Sequence, residues 1–422
     1  MDSQWAHFYQ KTYQQRREML AEFAGLSQAE TAALKSENKP IFNHLIENYL
    51  TDYALPEGIA TNLKVNGRRY LVPMVTEEPS VIAAASNGSK LLAAGDGIAA
   101  KIDQRLLTGQ IILKDVADKN ELTRLITDYQ SQLIKIANDS HPQILKHGGG
   151  ARSLSLRQLD EQFFSIDLTV DPGEAMGANL MNTMLEAVAD YLRSLAFQVT
   201  MAILSNIADK SLVTVTGKVA FDQLGASAVI GKKTAERIVD AATVAQLDPK
   251  RAVTHNKGIM NGVDAVVMAT GNDWRAVESA AHAFAARNGR YKGLSTWKLE
   301  DHYLVGQMTL PLSLGIVGGA TSVLPLAAVN KKMMQVNHVQ TLMAVTAALG
   351  LAQNLAALKA LVTDGIQKGH MNLQLRSLAM ANGAVEAELP AVVARLRQMP
   401  RPSAQAVRQI LKELRKKDNS NG

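Results

Sequence analysis

The chain has 422 residues, 47% hydrophobic and 20% charged, with a formal net charge of +6 and no cysteine. That length predicts two or three domains with substantial cores. The lack of cysteine excludes thiol nucleophiles, disulfides and thiolate metal sites, and the scattered positive charge with only 5% aromatic residues suits anionic small molecules better than stacked bases.

The opening MDSQWAHFYQKTYQQRREML lacks the apolar centre of a signal peptide. Helices are predicted over residues 10–25, 27–35 and 41–50. A hairpin follows, with Leu63 and Val65 on one strand, Tyr70, Leu71 and Val72 on the other, and an Asn66-Gly67 turn between them. The segment Thr76-Glu77-Glu78-Pro79-Ser80 then leads into a helix, VIAAASNGSKLLAAG. Two acids at a helix entry suit the helix dipole, but beside an apolar run one of them can also be a buried general acid.

Alternating apolar residues predict strands over 110–116 and 164–170, with one helix over 121–136 between them. Gly148-Gly149-Gly150 marks a turn or a close backbone approach. Gly177 precedes a long helix, in which Thr183 and Glu186 have capping-box spacing. A glycine ahead of a helix N-terminus is a ready phosphate site, although the GxGxxG fingerprint is absent. Further strands are expected at 202–204, 213–215 and 219–221, which suggests a small α+β domain over roughly 106–215.

The stretch RAVTHNKGIMNGVDAVVMATGNDWRAVE, residues 251–278, concentrates the most chemistry. Val263 to Ala269 reads as a short buried strand between Asn261-Gly262 and Gly271-Asn272. This places Lys257 on the loop before it and Asp273 at a helix start after it. A lysine there can stabilise an oxyanion, with a nearby carboxylate keeping it protonated. The structural alternatives are a solvated lysine and an Asp273 or Asn272 that caps the helix DWRAVESAAHAFAARNG, whose apolar face is Trp274, Val277, Ala281 and Phe284.

Beyond it, 304–311 and 314–320 alternate apolar residues with glycine, and Gly318-Gly319 could admit a cofactor or form a bulge. Residues 338–366 read as a buried helical pair. His370, between Gly369 and the next helix, is either a mobile general acid or a helix C-cap. From Met371 onward three short amphipathic helices, broken at Asn382-Gly383 and Pro400-Pro402, read as a mobile flap. HExxH, HxxxH, GxSxG and GxxxxGK[ST] are all absent. No metal site and no membrane-spanning helix is expected, and the cytoplasm is the expected compartment.

Together these stretches resemble 3-hydroxy-3-methylglutaryl-CoA (HMG-CoA) reductase in its soluble bacterial form, class II. The resemblance rests on LVPMVTEEPSVIAAAS at 71–86, EAMGANLMNTMLEA at 174–187, ILSNIAD at 203–209, the 251–278 stretch, IVGGAT at 316–321 and GLAQNLAALKALVTDGIQKGHM at 350–371. It implies an α+β fold. A large mixed HMG-CoA domain (1–105 and 216–370) would carry an inserted, non-Rossmann dinucleotide domain (106–215) and a helical flap (371–422).

The implied reaction is a two-hydride reduction of HMG-CoA to mevalonate through a hemithioacetal and mevaldehyde, with release of CoA. The resemblance makes Lys257 the oxyanion cation, Glu78 the catalytic acid, Asp273 their coupling partner and His370 the donor to the CoA thiolate. Ser80, Arg251 and Asn261 match substrate positions, and Met176, Gly177, Asn179, Asn182 and Asn206 match cofactor positions. NAD-preferring relatives carry an acid where His141 stands, and Lys146 is near in sequence, so NADPH is the expected cofactor. Glu174 stands where many relatives have Asp. Leu50-Thr51 replaces the usual Ile-Gly of the dimer motif near Glu47-Asn48, and a homodimer with interfacial active sites is still expected. The same enzyme run oxidatively with NAD, or a silent CoA- or nucleotide-binding protein, are the competing readings; a nucleic-acid binder rests only on charge.

Overall fold

Strand pairing between distant segments sets the architecture. The structure, a computed structural model, describes residues 5, 7–36, 39–363, 365 and 375–418. It falls into two units, residues 1–56 and 57–422. The first holds α1 (Tyr13–Ala24), α2 (Gln28–Ala33) and α3 (Lys39–Leu45). Capping boxes Thr12/Gln15 and Ser27/Glu30 start α1 and α2. The buried Arg16 guanidinium is satisfied by the Tyr49 and Lys11 carbonyls and Asn43.

The second unit opens with the expected hairpin, β1 (Glu57–Val65) and β2 (Arg68–Val75). Asn66 (φ 46°) and Gly67 (φ 83°) supply the left-handed pair that a two-residue turn requires. Then come α4 (Val81–Ala94), β3 (Ile98–Ile102), β4 (Leu107–Lys114), α5 (Lys119–Asp128), α6 (Gln130–Asp139), α7 (Gln143–Lys146), β5 (Gly150–Gln158), β6 (Phe163–Asp171), α8 (Ala178–Ser194) and β7 (Val199–Ser205). The chain continues through β8 (Leu212–Ala220), α9 (Ala228–Leu247), α10 (Pro249–Ala269), α11 (Trp274–Ala285), β9 (Ser295–Glu300), β10 (Tyr303–Pro311), α12 (Ala320–Val323), α13 (Pro325–Met334) and α14 (Val339–Val362). At the C-terminal end are α15 (375–381), α16 (Leu389–Arg397) and α17 (Ala404–Asp418).

Two sheets organise these elements. The larger has the order β2-β1-β3-β8-β10-β9, the smaller β5-β6-β4-β7. β3 and β8 pair directly, Ile98 opposite Gly217 and Ile102 opposite Val213. The smaller sheet is therefore inserted between two neighbouring strands of the larger one. Its own core contains Ile111, Leu133, Ile166, Leu168, Met181 and Leu185, contributed by the sheet and by α5, α6 and α8. The C-terminal helices bury a third cluster around Leu375, Val392, Leu396, Val407 and Ile410.

Several elements differ from the sequence reading. Val263 to Ala269 is the last third of the 21-residue helix α10, so Lys257 sits on a helix, not a loop. The Asn261-Gly262 break signal is overridden by packing: a Cβ on Gly262 would lie 3.0 Å from Gln353 Cβ on α14. Val263, Val266 and Val267 then share a buried helical face. Residues 338–366 form one continuous helix over Val339–Val362 rather than a pair. By length and apolar composition this helix could cross a membrane, contrary to expectation, but 89% of its apolar stretch is buried inside the protein. Against α4 its backbone comes so close that a Cβ on Gly88 would lie 1.9 Å from the Ala352 carbonyl oxygen.

The helix expected over 121–136 is two helices meeting at Tyr129. Thr183 and Glu186 lie inside α8, whose N-cap is Gly177. Residues 213–215 and 219–220 belong to the single strand β8, which pairs in the larger sheet. Phe221 lies just past β8 in a 3-10 turn.

Candidate active site

Two cavities flank α10. The first, about 470 Å³, is lined by Glu78, Ser80, Arg251, Lys257 and Asn261, with Gln353, Asn354 and apolar residues of α14 opposite. Asp248 caps the start of α10 through Lys250 N, with Pro249 as its first residue. Thr254, Lys257, Gly258 and Asn261 therefore fall on one side of a fixed helix, while Ile259, Met260 and Val263 anchor the other side in the core.

Glu78 follows β2 on a turn held by Glu78 N donating to Thr76 Oγ1 at 3.2 Å. Both carboxylate oxygens are engaged. Ser80 Oγ donates to Oε1 at 3.1 Å and Lys257 Nζ to Oε2 at 3.0 Å. The Glu78 side chain is 33% exposed, so the acid is half-buried rather than sequestered, and Lys257 is 62% exposed. The pair brings a cation and a carboxyl group able to exchange a proton to the same point in space, which is what reduction of a carbonyl requires. Burial lowers the Arg251 pKa from its usual value, which marks a poorly hydrated cation available to an anionic substrate group.

From the cavity lining, through His255 and Asn354, runs a polar network that the sequence reading left without a role. His255 Nε2 is 2.7 Å from Ser295 Oγ, and Asn354 Oδ1 accepts from Ser295 Oγ and Trp297 Nε1, each at 2.8 Å. Burial, reinforced by the Arg251 charge, pushes the His255 pKa down to about 4, so its ring is neutral at pH 7.

The second cavity, about 710 Å³, lies at the other end of α10. It is lined by His141, Met176, Gly177, Asn179 and Asp273, with Gly318 and Gly319 on the facing loop and Thr321 at the start of α12. Gly177 has φ 97°, and a Cβ there would lie 2.5 Å from Pro172 Cβ and 2.7 Å from Leu107 Cδ1. Only glycine therefore lets α8 start at this point, leaving its first N–H groups directed at the cavity. His141 Nδ1 is buried without a partner among the described residues. An orphaned imidazole nitrogen beside a free helix start fits an anionic dinucleotide.

Asp273 caps α11, accepting from Arg275 N at 3.0 Å and Ala276 N at 3.2 Å, with the Arg275 guanidinium 3.4 Å away. Of the expected apolar face of α11, Val277 and Ala281 are buried, whereas Trp274 is 41% exposed and faces this cavity. Asp273 is thus not beside Lys257 of the same chain. Lys257 to the end of α10 at Ala269 is roughly 18 Å of helix rise.

Two expected cofactor residues lie outside both cavities: Asn182 accepts from Leu204 N at 2.9 Å and ties α8 to β7, and Asn206 is exposed in the turn after β7. His370 lies outside the described residues. Three residues missed in the sequence brace the second cavity, Arg105, Asn272 and Lys331. Lys331 Nζ donates to the Ile316 and Thr321 carbonyls. Nothing in a lone loop arginine or a helical lysine signals this, because their partners are backbone carbonyls distant in sequence.

The pattern of hydroxymethylglutaryl-coenzyme A reductase matches residues 12–375. The chain belongs to this family. The Archaeoglobus fulgidus 3-hydroxy-3-methylglutaryl-coenzyme A reductase is 40% identical over 400 residues, covering 93% of this chain and 90% of that protein. A probable reductase of Borreliella burgdorferi is 33% identical over 374 residues, covering 88% and 86%. In structure the chain is similar to the class II reductase of Streptococcus pneumoniae bound to NADPH in open conformations. The TM-score is 0.76, with 43% identity, 96% of this chain and all of the other being covered. The expected resemblance to the class II form therefore holds, as does the α+β architecture with two sheets.

Proposed function

We propose that the protein reduces HMG-CoA to mevalonate with NADPH, and that the observation carrying this is the 3.0 Å contact of Lys257 Nζ with Glu78 Oε2 inside the α10 cavity. Lys257 stabilises the negative charge that grows on the carbonyl oxygen as hydride arrives, and Glu78 supplies the proton. Ser80 holds the Glu78 carboxyl in register. Arg251 and Asn261, on the same wall, bind the polar groups of the hydroxymethylglutaryl moiety. Two NADPH molecules, bound in turn, would each supply one hydride. Met176, Gly177 and Asn179 orient each, and His141 meets its 2′-phosphate. His370 protonates the departing thiolate.

The distance between the two ends of α10 supports a homodimer in which Asp273 of one chain faces Lys257 and Glu78 of the other. The direct pairing of β3 with β8 supports reading residues 106–215 as a dinucleotide module inserted in a substrate module of 1–105 and 216–370. The separate core of the last helices supports reading 371–422 as a flap, and the cytoplasm is the proposed compartment.

The test is NADPH oxidation with HMG-CoA by wild type and by Lys257→Ala. We expect turnover that falls by about 10³-fold in the variant, about 4 kcal/mol of transition-state stabilisation. No turnover by a folded wild-type protein with NADPH or NADH would overturn the reading.

A further inference from the structure

Arg105 lies in the short connection between β3 and β4, one of the crossings from the larger sheet to the smaller. It is 8% exposed, yet no carboxylate neutralises it by direct contact among the described residues. Instead Nη1 donates to the Gly173 carbonyl and Nη2 to the carbonyls of Ala175 and Leu314. Burial lowers its pKa to about 10, with the charges of Asp171 and Glu174 opposing the shift. A guanidinium is the one side chain whose rigid fork can gather several carbonyls at once.

The carbonyls it gathers are not arbitrary. Gly173 and Ala175 lead directly into Met176 and Gly177. Leu314 precedes Gly315, and Gly315 pairs with Asn272 in both directions, N–H to Oδ1 at 2.7 Å and C=O from Nδ2 at 3.1 Å. Asn272 is followed by Asp273. Two further links join the same strands of chain: Ile316 N donates to the Glu174 carbonyl at 2.9 Å, and Ala175 and Val317 form a parallel bridge. The backbones pass so closely that a Cβ on Gly315 would lie 2.3 Å from Met176 N.

We infer that Arg105 is a positioning residue for the reductase. Through three backbone carbonyls, and onward through Asn272, it sets the separation of the Met176-Gly177 segment from Asp273 and so the shape of the dinucleotide cavity. This rests on the proposed NADPH site. It assigns Arg105 no contact with substrate or cofactor, and it predicts a selective defect. None of the residues it joins lines the Lys257 cavity at the far end of α10 in the same chain, so the groups that hold HMG-CoA stay in place.

The experiment measures KM for NADPH and for HMG-CoA in wild type, Arg105→Ala and Arg105→Lys, with and without added ethylguanidinium. For Arg105→Ala the NADPH KM rises about tenfold while the HMG-CoA KM stays within about twofold. Ethylguanidinium restores the NADPH KM, whereas ethylammonium, equal in charge but unable to fork across the carbonyls, does not. Arg105→Lys, which keeps the charge with fewer fixed donors, falls between. A folded variant with unchanged NADPH KM, or one that loses both substrates equally and is not rescued, overturns the role of Arg105. So does a lysine variant that cannot fold, because Arg105 would then serve folding alone. Failure of the wild type itself to use NADPH would instead sink the underlying cofactor reading.

Discussion

The two cavities at the ends of α10 are built in opposite ways. The first, proposed for HMG-CoA, is made of side chains: Lys257 and Glu78 3.0 Å apart, Ser80 behind them, Arg251 and Asn261 on the same wall. The second, proposed for the dinucleotide, is made largely of backbone, with the glycines at 177, 318 and 319 and the carbonyls gathered by Arg105 and Lys331. One cavity carries its specificity in a few charged groups, the other in where peptide planes lie. Mutations should therefore fail differently in each.

The largest effects belong to the side-chain cavity and to Asp273. Lys257→Ala and Asp273→Asn should each leave a folded protein with turnover reduced by about 10³-fold, since each removes a charge aligned with the reacting oxygen or its proton donor. In the backbone-built cavity, single side chains tune selectivity. His141→Asp places a carboxylate where a 2′-phosphate would sit, and kcat/KM for NADPH relative to NADH should drop by about tenfold or more. An unchanged cofactor ratio would show that His141 does not face the 2′ position.

The smallest effect concerns the brace between the helices that carry Lys257 and Asp273. Asp264 on α10 is raised to about 9 by burial and by its hydrogen bond and charge interaction with Glu278 on α11. Glu278 in turn lies 2.7 Å from His282, and His282 Nδ1 lies 2.7 Å from the Tyr291 hydroxyl. The folded state therefore holds a proton that the unfolded chain releases near pH 4, so stability declines as pH rises between about 4 and 9. Asp264→Asn removes that proton's release. Its thermal denaturation midpoint should decline less steeply than wild type from pH 6 to 9, a difference of at most roughly 1 kcal/mol per pH unit. Parallel curves would mean that the pair does not share a proton.

The same contrast governs what could be read from the sequence. Lys257, Glu78, Ser80, Arg251 and Asn261 line one cavity; Lys257 and Glu78 leave a local trace as charges beside apolar runs, whereas Ser80, Arg251 and Asn261 were named only through the resemblance. The hairpin at Asn66-Gly67 and the cap at Asp273 were equally legible, since each depends on residues within a few positions. Val263 to Ala269 misled because its valines fit a strand until the approach of Gln353 is known. Arg105 and Asn272 were invisible because their partners lie far along the chain, Leu314 being 209 residues from Arg105, and are main-chain atoms of any residue type. The separation of Asp273 from Lys257 could not be seen while α10 was read as loop plus strand.

That separation gives the most direct test of the account, which requires one active site to draw on two chains. Subunits bearing Lys257→Ala and subunits bearing Asp273→Asn, each inactive alone, would be co-expressed with different tags and the hybrid dimers isolated. In random assembly half the dimers are hybrid, and each hybrid regains one intact site of two, so the unfractionated mixture should recover about a quarter of wild-type activity and the purified hybrid about half. Hybrid dimers that form and remain inactive would contradict the shared site and put Lys257 and Asp273 to work within one chain.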